Sequence, residues 1–428
     1  MAQIKPFKAV IYNQDKIKDL SKVVCPPYDV ISPERQQYFH DLHPNNLIHV
    51  LLPKAAPQED KYRIAGSYFK DWLKNRILIP EDKEAIYFYS QQYNLKGEKR
   101  TRLGFIARLY LEEKKSTFGH EHTHQEAKED RLKLLKKVKA NLSPVFVIFS
   151  DKKRIIQSIY QKYIKENKPF VEITDDEKVT HKLWRIDSPE ILRDMENKMS
   201  GESIFIADGH HRYEVACAWR DEIKKKMGSY TGKESFNYLL AYFTNTDPRG
   251  LTILPIHRLV KLSYPIDPSS LIDKLIEFFA IEEVKDRSRF FFLMEKAGKT
   301  EHILGMYHNK RYSLLRLKNV KILDKIINDK PQDYRSLDVC ILNYIILKDI
   351  LGLDLNNKEQ IAFSPHAQEL IEKTDSQNGL IAFFLNPVKI QQIISVALSG
   401  NKMPPKSTYF YPKVLSGLAI SRHEEPLT

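Results

Sequence analysis

The sequence predicts a mixed α/β protein, because short apolar runs of strand length alternate with longer stretches of helical periodicity. The clearest junction lies at residues 203–227. Residues 203–207 form an apolar run of strand length, and from Tyr213 onward apolar residues recur at helical spacing. A second indication is the pair of strand patterns at 85–93 and 101–110, which a hairpin at 94–97 would join. We therefore expect sheets with connecting helices.

A chain of 428 residues is long enough for two or three domains. The pattern changes beyond Lys261, where a helix at 268–279, a hairpin within 290–317 and a helix at 337–351 follow one another. A strand at 380–385 and a helix at 388–398 complete this part. We therefore expect a first domain at 1–260 and an α+β unit at 261–428.

The composition excludes several classes of protein. No apolar run approaches the 18 residues of a membrane span, and the N-terminus lacks the apolar core of a signal peptide. Three widely spaced cysteines suit a reduced, cytoplasmic setting. A formal charge of +13 favours binding of polyanions such as nucleic acids. Much of this charge, however, comes from interspersed lysines typical of a solvated helix face. We expect a small-molecule partner, with nucleic acid and membrane disfavoured.

The first motif lies at 23–34, where an apolar run meets two prolines and then Tyr28 and Asp29. Two consecutive prolines stop both a helix and a strand ladder, so we expect a rigid turn that presents the next side chains. Ser-Pro-Glu at 32–34 has the order of a helix start. Tyr28 is a candidate substrate-binding residue and Asp29 a candidate catalytic carboxylate. A structural turn in which Asp29 accepts from backbone amides fits this stretch equally well.

The stretch between the first two motifs predicts a strand, a helix and the hairpin already named. Residues 47–52 form an apolar run, which predicts the strand. Residues 62–78 have helical periodicity, and Pro80 closes them.

The second motif is Gly-His-Glu-His-Thr-His at 119–124. It fits H-E-x-x-H, in which a helix sets two zinc-binding histidines on one face. Because glycine precedes the motif and helix signals begin only near its end, a zinc hydrolase is a minor alternative. A polar loop with solvated histidines is another. We favour a site loop in which Glu121 is catalytic and His120 and His122 bind substrate.

The third motif, Asp208-Gly-His-His-Arg212, opens a helix directly after a strand. The first N–H groups of a helix lack internal partners and the macrodipole is positive there, so an anion is favoured. Arg212 adds a planar fork of donors. We predict phosphate binding by Gly209, His210, His211 and Arg212, with His210 also a candidate catalytic group. Asp208 would orient His210 or bind magnesium. The structural alternative is a capped surface helix with incidental histidines.

The fourth motif is the C-terminal stretch 403–413, whose aromatic and proline content predicts an ordered segment that packs back on the first domain. Lys406 after two prolines is a candidate phosphate contact, and the neighbouring Ser407 a candidate substrate contact. No Gly-x-x-x-x-Gly-Lys precedes them, so this is not a P-loop.

Together these motifs resemble a widespread prokaryotic family long catalogued as a domain of unknown function. The segments that carry the resemblance are VCPPYDVI at 24–31, GHEHT at 119–123, ADGHHRYE at 207–214 and PPKSTYFYPK at 404–413. More distantly, a strand followed by Asp-Gly-His-His-Arg is similar to the phosphate-binding box of the ParB/sulfiredoxin-like superfamily. Free serine kinases belong there and carry an Asp-Gly-x-His-Arg box.

This resemblance implies a ParB/sulfiredoxin-like core with additional strands in residues 1–260. It also implies that residues 209–212 hold the donor phosphates, with the Pro-Pro-Tyr-Asp segment nearby. Family members are often encoded near serine-biosynthesis genes, which implies free serine as an acceptor. The chain is longer than the small superfamily domains, and Glu121 and Lys406 have no evident counterpart there.

The sequence thus predicts a phosphotransferase that acts on a small hydroxylated metabolite, with free L-serine as the favoured acceptor. The donor would be a nucleotide or pyrophosphate, with Mg²⁺. Phosphoryl transfer mainly requires positioning and charge neutralisation, which the helix start, Arg212 and Lys406 would supply. Glu121 ranks slightly ahead of Asp29 as the base. A ParB-like module that binds nucleotide or DNA is the further alternative, although no helix-turn-helix with a basic face is evident. The oligomeric state stays open, a homodimer included.

Overall fold

The computed structural model describes residues 2–112, 116–262, 267–355, 357 and 359–423. Its helices and strands alternate along the chain and form several sheets, which confirms the mixed α/β class. Two compact units interleave in sequence. Unit 1 comprises Met1–Gly119, Thr123–Thr252 and Pro412–Thr428, and unit 2 comprises His120–His122 and Ile253–Tyr411. The ParB/sulfiredoxin-like topology and the division at residue 260 stay predictions.

The strands are β1 (Ile4–Lys5), β2 (Val10–Tyr12), β3 (Leu78–Pro80), β4 (Ile86–Leu95), β5 (Glu98–Tyr110), β6 (Thr117–Phe118), β7 (Ala140–Asn141), β8 (Val145–Phe149), β9 (Val171–Thr174), β10 (Thr180–Ile186), β11 (Ile204–Asp208), β12 (Tyr238–Asn245), β13 (Thr252–Leu254), β14 (His257–Lys261), β15 (Phe279–Val284), β16 (Ile303–His308), β17 (Arg311–Leu317), β18 (Ile361–Ser364), β19 (Leu380–Phe384), β20 (Tyr409–Tyr411) and β21 (Ser421–Arg422).

The α-helices are α1 (Pro33–Leu42), α2 (Ile48–Leu51), α3 (Lys61–Lys74), α4 (Gln125–Val138), α5 (Ile155–Ile159), α6 (Pro189–Met199), α7 (His210–Met227), α8 (Pro268–Phe278), α9 (Arg287–Ala297), α10 (Ile322–Ile326), α11 (Gln332–Arg335), α12 (Asp338–Ile341), α13 (Ala367–Ser376) and α14 (Ile390–Leu398). Short 3₁₀ turns lie at Leu20–Lys22, Tyr28–Val30 and Ser235–Asn237, and π-helical segments at Tyr160–Ile164 and Leu342–Ile350. No helix in the described parts of the chain is long and apolar enough to cross a bilayer.

Unit 1 is built on a large mixed sheet in the order β6-β11-β8-β12-β5-β4-β10-β9, with β1 beside β5. Strand β8 runs antiparallel to β11 and parallel to β12. The end of β11 therefore lies beside the start of β8, whereas β8 and β12 end together at the opposite side of the sheet. Polar residues gather at both ends of β8.

The core of unit 1 contains aromatic and aliphatic side chains of the central strands, with helices α5 and α6 on the same face. Phe105 of β5 and Phe243 of β12 stack with ring centroids 4.9 Å apart, and both are fully buried. Burying such rings is a large favourable contribution to folding. The central strands therefore form a well-packed core that supports the loops at both ends of the sheet.

Unit 2 contains an antiparallel sheet in the order β15-β17-β16-β19-β14-β18. Phe290 and Met294 of α9 and Leu370 of α13 pack on one face of it, against Phe384 of β19. Helix α9 begins after Asp286, whose side chain accepts from the Arg289 backbone N–H at 2.6 Å.

Some predictions about elements are wrong. Residues 47–52 do not form a strand but contain α2, because the Asn46 side chain accepts from the Ile48 N–H at 2.9 Å and starts a helical turn. An apolar run of this length fits a short buried helix as well as a strand. The predicted hairpin within 290–317 begins instead with helix α9, and only β16 and β17 pair as a hairpin.

Candidate functional site

Helix α7 begins where β11 ends, as the sequence predicts. Strand β11 ends at Asp208, the helix begins at His210, and Gly209 between them has a φ angle of 92°. This left-handed conformation strongly favours glycine. A Cβ atom at Gly209 would also lie 2.9 Å from Cζ of Arg212. Glycine therefore lets the Arg212 side chain fold back over the turn.

Asp208, Arg212 and Lys413 form a largely buried ion-pair cluster at this turn. Arg212 Nη2 donates to Asp208 Oδ2 at 3.0 Å, and Lys413 Nζ donates to Asp208 Oδ1 at 3.1 Å. Burial alone would raise the pKa of Asp208, but Lys413 and Arg212 together hold that pKa well below its usual range. Asp208 is thus ionised and keeps both cations in fixed positions.

Backbone contacts anchor the two cations further. Arg212 Nη1 donates to the carbonyl oxygen of Pro144 at 2.5 Å, just before β8. Gln91 Nε2 donates to the carbonyl oxygen of Lys413 at 2.8 Å, which attaches the backbone of Lys413 to strand β4. The buried Arg102 side chain also donates to the carbonyl oxygen of Pro412 at 2.5 Å. These bonds explain how Lys413, remote in sequence, reaches Asp208.

The Pro-Pro turn brings Asp29 to the same cluster. The pKa of Asp29 is raised, first by withdrawal of its carboxyl group from water and second by the neighbouring Asp208 carboxylate. Arg212 and Lys413 oppose this rise, so all four charged groups interact. The carboxyl group of Asp29 therefore holds its proton to a higher pH than an isolated aspartate does, although part of the residue is exposed.

Tyr28 lies beside these charges. Withdrawal of its hydroxyl from water and the charge of Asp29 raise the pKa of Tyr28 to about 12, so the phenol stays protonated. The guanidinium of Arg131 lies 4.5 Å from the Tyr28 ring centroid. Tyr28, Arg131 and Arg212 border a small, mainly apolar cavity of about 60 Å³, which holds water molecules but not a nucleotide.

The two histidines of the third motif differ in their surroundings. His210 is 3% exposed, and its interaction with Asp208 helps to lower the pKa of that carboxyl. His211 Nε2 accepts from the backbone N–H of His124 at 2.9 Å, so this nitrogen carries no proton. Thr123 Oγ1 donates to Glu214 Oε2 at 2.6 Å. These contacts attach the end of the second motif to α7 within unit 1. Phosphate binding by His210 and His211 stays a prediction.

The remaining predicted residues cluster in unit 2. His120 is fully buried, and its Nε2 lies 3.2 Å from Thr408 Oγ1, which donates to Glu121 Oε1 at 3.4 Å. Ser407 Oγ donates to the Pro404 carbonyl oxygen at 2.6 Å, a bond internal to its own turn. Lys406 is exposed and has a φ angle of 57°, and His122 is exposed as well. The second and fourth motifs therefore meet here through Thr408, which no sequence pattern singles out.

The geometry required for a helical zinc site is not formed. Helix α4 begins at Gln125, so His120 and His124 precede it and do not share a helical face. Over residues 2–423, apart from the undescribed positions, no group of three His, Cys, Asp or Glu side chains is arranged to hold a metal ion. The H-E-x-x-H interpretation is therefore wrong in its structural premise.

Lys413 is the member of the Asp208 ion-pair cluster that sequence reasoning misses. It ends the fourth motif, but no local pattern indicates a partner more than two hundred positions away. The first and third motifs, in contrast, can be found from the sequence. Each follows an apolar run and consists of a turn and a helix start, which are local signals.

The chain belongs to the family described as Protein of unknown function (DUF1015), whose model matches residues 4–340. A search of curated proteins found no match. Among solved structures, the chain is similar to a mutant free serine kinase in complex with ADP, with 10% identity, a TM-score of 0.33, and 72% of this chain and 87% of that chain covered. It is also similar to SbnI with C-terminal truncation from Staphylococcus aureus, with 10% identity and a TM-score of 0.35. This match covers 73% of the present chain and 85% of SbnI. A conserved hypothetical protein from Pyrococcus furiosus matches with 11% identity and a TM-score of 0.33. This match covers 74% of the present chain and 95% of the Pyrococcus protein.

Proposed function

We propose that the protein is a phosphotransferase that binds the phosphate groups of its donor at Arg212, Lys413 and the first turn of α7. The supporting observation is the Asp208 cluster, in which two cations lie beside the N-terminus of an 18-residue helix. Arginine offers a planar fork and lysine a point charge, and both suit phosphate oxygens. Because Asp208 holds them in advance, little reorganisation is needed when phosphate binds.

The acceptor in this proposal is a small hydroxylated metabolite, with free L-serine favoured, and the donor is a nucleotide or pyrophosphate. Both come from the resemblance of the Asp-Gly-His-His-Arg segment to the box of free serine kinases. A ParB/sulfiredoxin-like core in residues 1–260, a cytoplasmic location and packing of the tail 403–413 on that core belong to the same proposal. Phosphoryl transfer depends on positioning and charge neutralisation, and two fixed cations beside a helix start support both requirements.

We propose Asp29 as the base that removes the proton from the acceptor hydroxyl. A raised pKa makes a carboxylate a better proton acceptor near neutral pH, and Asp29 adjoins the two cations. Glu121, which ranks ahead of it on the sequence alone, accepts from Thr408 in unit 2. The role of Glu121 stays a prediction, and Glu121→Gln is the comparison that decides between the two residues.

Magnesium with Asp208 as a ligand also stays a prediction. Mg²⁺ is usually held by one or two carboxylates together with the substrate phosphates. Here each oxygen of Asp208 already accepts from a cation, so Arg212 or Lys413 would have to move before a metal could bind. The present arrangement suits charge neutralisation by side chains, and no step of the proposal depends on the metal.

The test is a screen of donors and hydroxyl acceptors followed by phosphorus NMR. Lys413→Ala and Arg212→Ala should each raise the donor KM about tenfold or more, because each removes a charge-assisted bond to phosphate. Lys133→Ala, at an exposed position on α4, is the matched control and should leave KM unchanged. Asp29→Asn should instead lower kcat. The absence of transfer for every pair tested, together with unchanged nucleotide affinity in Arg212→Ala, would overturn the proposal.

A further inference from the structure

A larger polar cavity lies in unit 1, at the end of β8 away from Asp208. Its volume is about 490 Å³, within the range of metabolite-binding sites. Strands β8 and β12 run parallel and end side by side, with Phe149 paired to Asn245. The chain that leaves these two ends forms much of the cavity wall. The carboxyl ends of adjacent parallel strands are frequent ligand sites, because loops diverge there and leave a crevice.

One wall of the cavity carries a buried carboxylate. Asp151 is 6% exposed, and its oxygens accept from the backbone N–H groups of Ile155 at 2.6 Å and Ile156 at 3.3 Å. Asn245 Nδ2 lies 3.4 Å away. No lysine or arginine among the described residues pairs with it. Burial and then the charge of Glu202 outweigh these donors and raise the pKa of Asp151. A carboxylate can accept about four hydrogen bonds, so Asp151 retains capacity for a cationic donor.

The cavity also has an arginine that no described carboxylate contacts. Arg154 lines it, is exposed, and forms no ion pair with any described residue. Arg249, also in the wall, is instead bound to Asp247, with Nη2 to Oδ2 at 2.6 Å. Asp151 and Arg154 both have φ angles of 50°. Left-handed residues other than glycine are energetically costly and cluster at functional sites.

We propose that this cavity binds a free α-amino acid in its zwitterionic form. The α-ammonium group would donate to Asp151, and the α-carboxylate would accept from Arg154, whose planar fork matches a carboxylate. Among the described residues, the buried Asp151 carboxylate has no cationic partner and Arg154 has no anionic partner, so together they complement a molecule that carries both charges. The site is separate from the Asp208 cluster, at the other end of β8, and the inference does not rest on the proposed transfer reaction.

Calorimetric titration of the full chain with the twenty free L-amino acids tests this inference. For the amino acid that binds most tightly, the α-amide and the N-acetyl derivative serve as matched probes. Each derivative lacks one of the two charges and should bind at least about tenfold more weakly. Arg154→Gln should cause a similar loss. Because the Arg154 side chain is exposed and forms no ion pair with any described residue, this variant is expected to fold. Lys152→Gln, which removes a nearby exposed charge outside the cavity, should change nothing.

The double variant Arg212→Ala/Lys413→Ala separates this site from the candidate transfer site. Amino-acid affinity should persist in the double variant if the cavity is the binding site. Loss of affinity in a double variant that still shows the cooperative urea transition of the unaltered chain would place the amino acid at the Asp208 cluster and overturn the inference. Failure of all twenty amino acids to bind, or unchanged affinity in Arg154→Gln, would also overturn it.

Discussion

At the scale of residues, the two aspartates of the candidate site have opposite tendencies to bind a proton. Asp208 contacts both cations, so its pKa is lowered, whereas Asp29 lies beside Asp208 and its pKa is raised. Neighbouring carboxyl groups disfavour simultaneous ionisation, and the one with the better cation contacts takes the charge. One carboxylate thus stays ionised between the cations, while the other holds its proton to a higher pH, and pKa values separated in this way are common in acid–base sites.

Asp29→Asn should therefore raise the free energy of unfolding near neutral pH. A raised folded-state pKa contributes stability below the unfolded pKa, and this contribution is lost as pH rises through the folded pKa. The increase in the free energy of unfolding caused by Asp29→Asn should disappear below about pH 4, where the carboxyl group is protonated in both the folded and the unfolded chain. The three tryptophans, Trp72, Trp184 and Trp219, all belong to unit 1. Urea unfolding followed by tryptophan fluorescence at several pH values will measure the effect.

Asp130→Asn serves as a control, because it should change the free energy of unfolding in the opposite direction to Asp29→Asn. Burial would raise the pKa of Asp130, but Arg131 and Lys61 lower it to about 2. Its stabilising contribution is present above the unfolded pKa and is lost as pH falls through the folded pKa. Asp130→Asn should therefore destabilise unit 1 near neutral pH. If both variants shifted stability in the same direction, the electrostatic account of the cluster would be wrong.

At the scale of elements, the turn between β11 and α7 determines where Arg212 can lie. Gly209 serves two purposes there, since it adopts a positive φ and leaves room for the Arg212 guanidinium. Gly97, in the hairpin between β4 and β5, also has a positive φ angle, of 84°. A Cβ atom added to Gly97 would meet no other atom within 4 Å, so a side chain there would cause no clash. A substitution at Gly97 therefore tests backbone strain alone, whereas one at Gly209 tests backbone strain together with displacement of the Arg212 side chain.

Gly97→Ala should cost about 1 kcal/mol, the typical penalty for alanine at a positive φ. Gly209→Ala should cost about 2 kcal/mol or more, because Arg212 must also move away from Asp208. Gly209→Ala should in addition weaken donor binding, whereas Gly97→Ala should not. Urea unfolding and a nucleotide titration measure the two effects, and equal costs at the two positions would contradict the steric part of the argument.

Elements with local chemical signals could be predicted from the sequence. The Ser32 cap, the hairpin β4–β5 and the β11–α7 junction depend on neighbours a few positions apart, and all are present. The strand predicted at 47–52 is wrong, because periodicity cannot separate a short buried helix from a strand. Lys413 could not be predicted as a partner of Asp208 because that ion pair is set by tertiary structure.

At the scale of the whole molecule, unit 1 is completed by a segment distant in sequence. After Lys413, Ser416 Oγ lies 2.6 Å from Ser143 Oγ, and Ile420 pairs with Val10 through backbone hydrogen bonds. Strand β21 then pairs with β7. The segment that carries Lys413 is therefore part of the unit 1 core, so its packing should govern both stability and the position of the cation.

Ile420→Ala tests whether this segment stabilises unit 1. Ile420 is fully buried, and truncation of a buried isoleucine typically costs about 2–5 kcal/mol through lost burial and a residual cavity. Arg422→Ala, two residues on and exposed, should change the free energy of unfolding by less than about 0.5 kcal/mol. Tryptophan fluorescence during urea unfolding reports the stability of unit 1 in both variants. If Ile420→Ala left the transition midpoint unchanged, the segment would not contribute to the fold of unit 1, and the fixed position of Lys413 would need another cause.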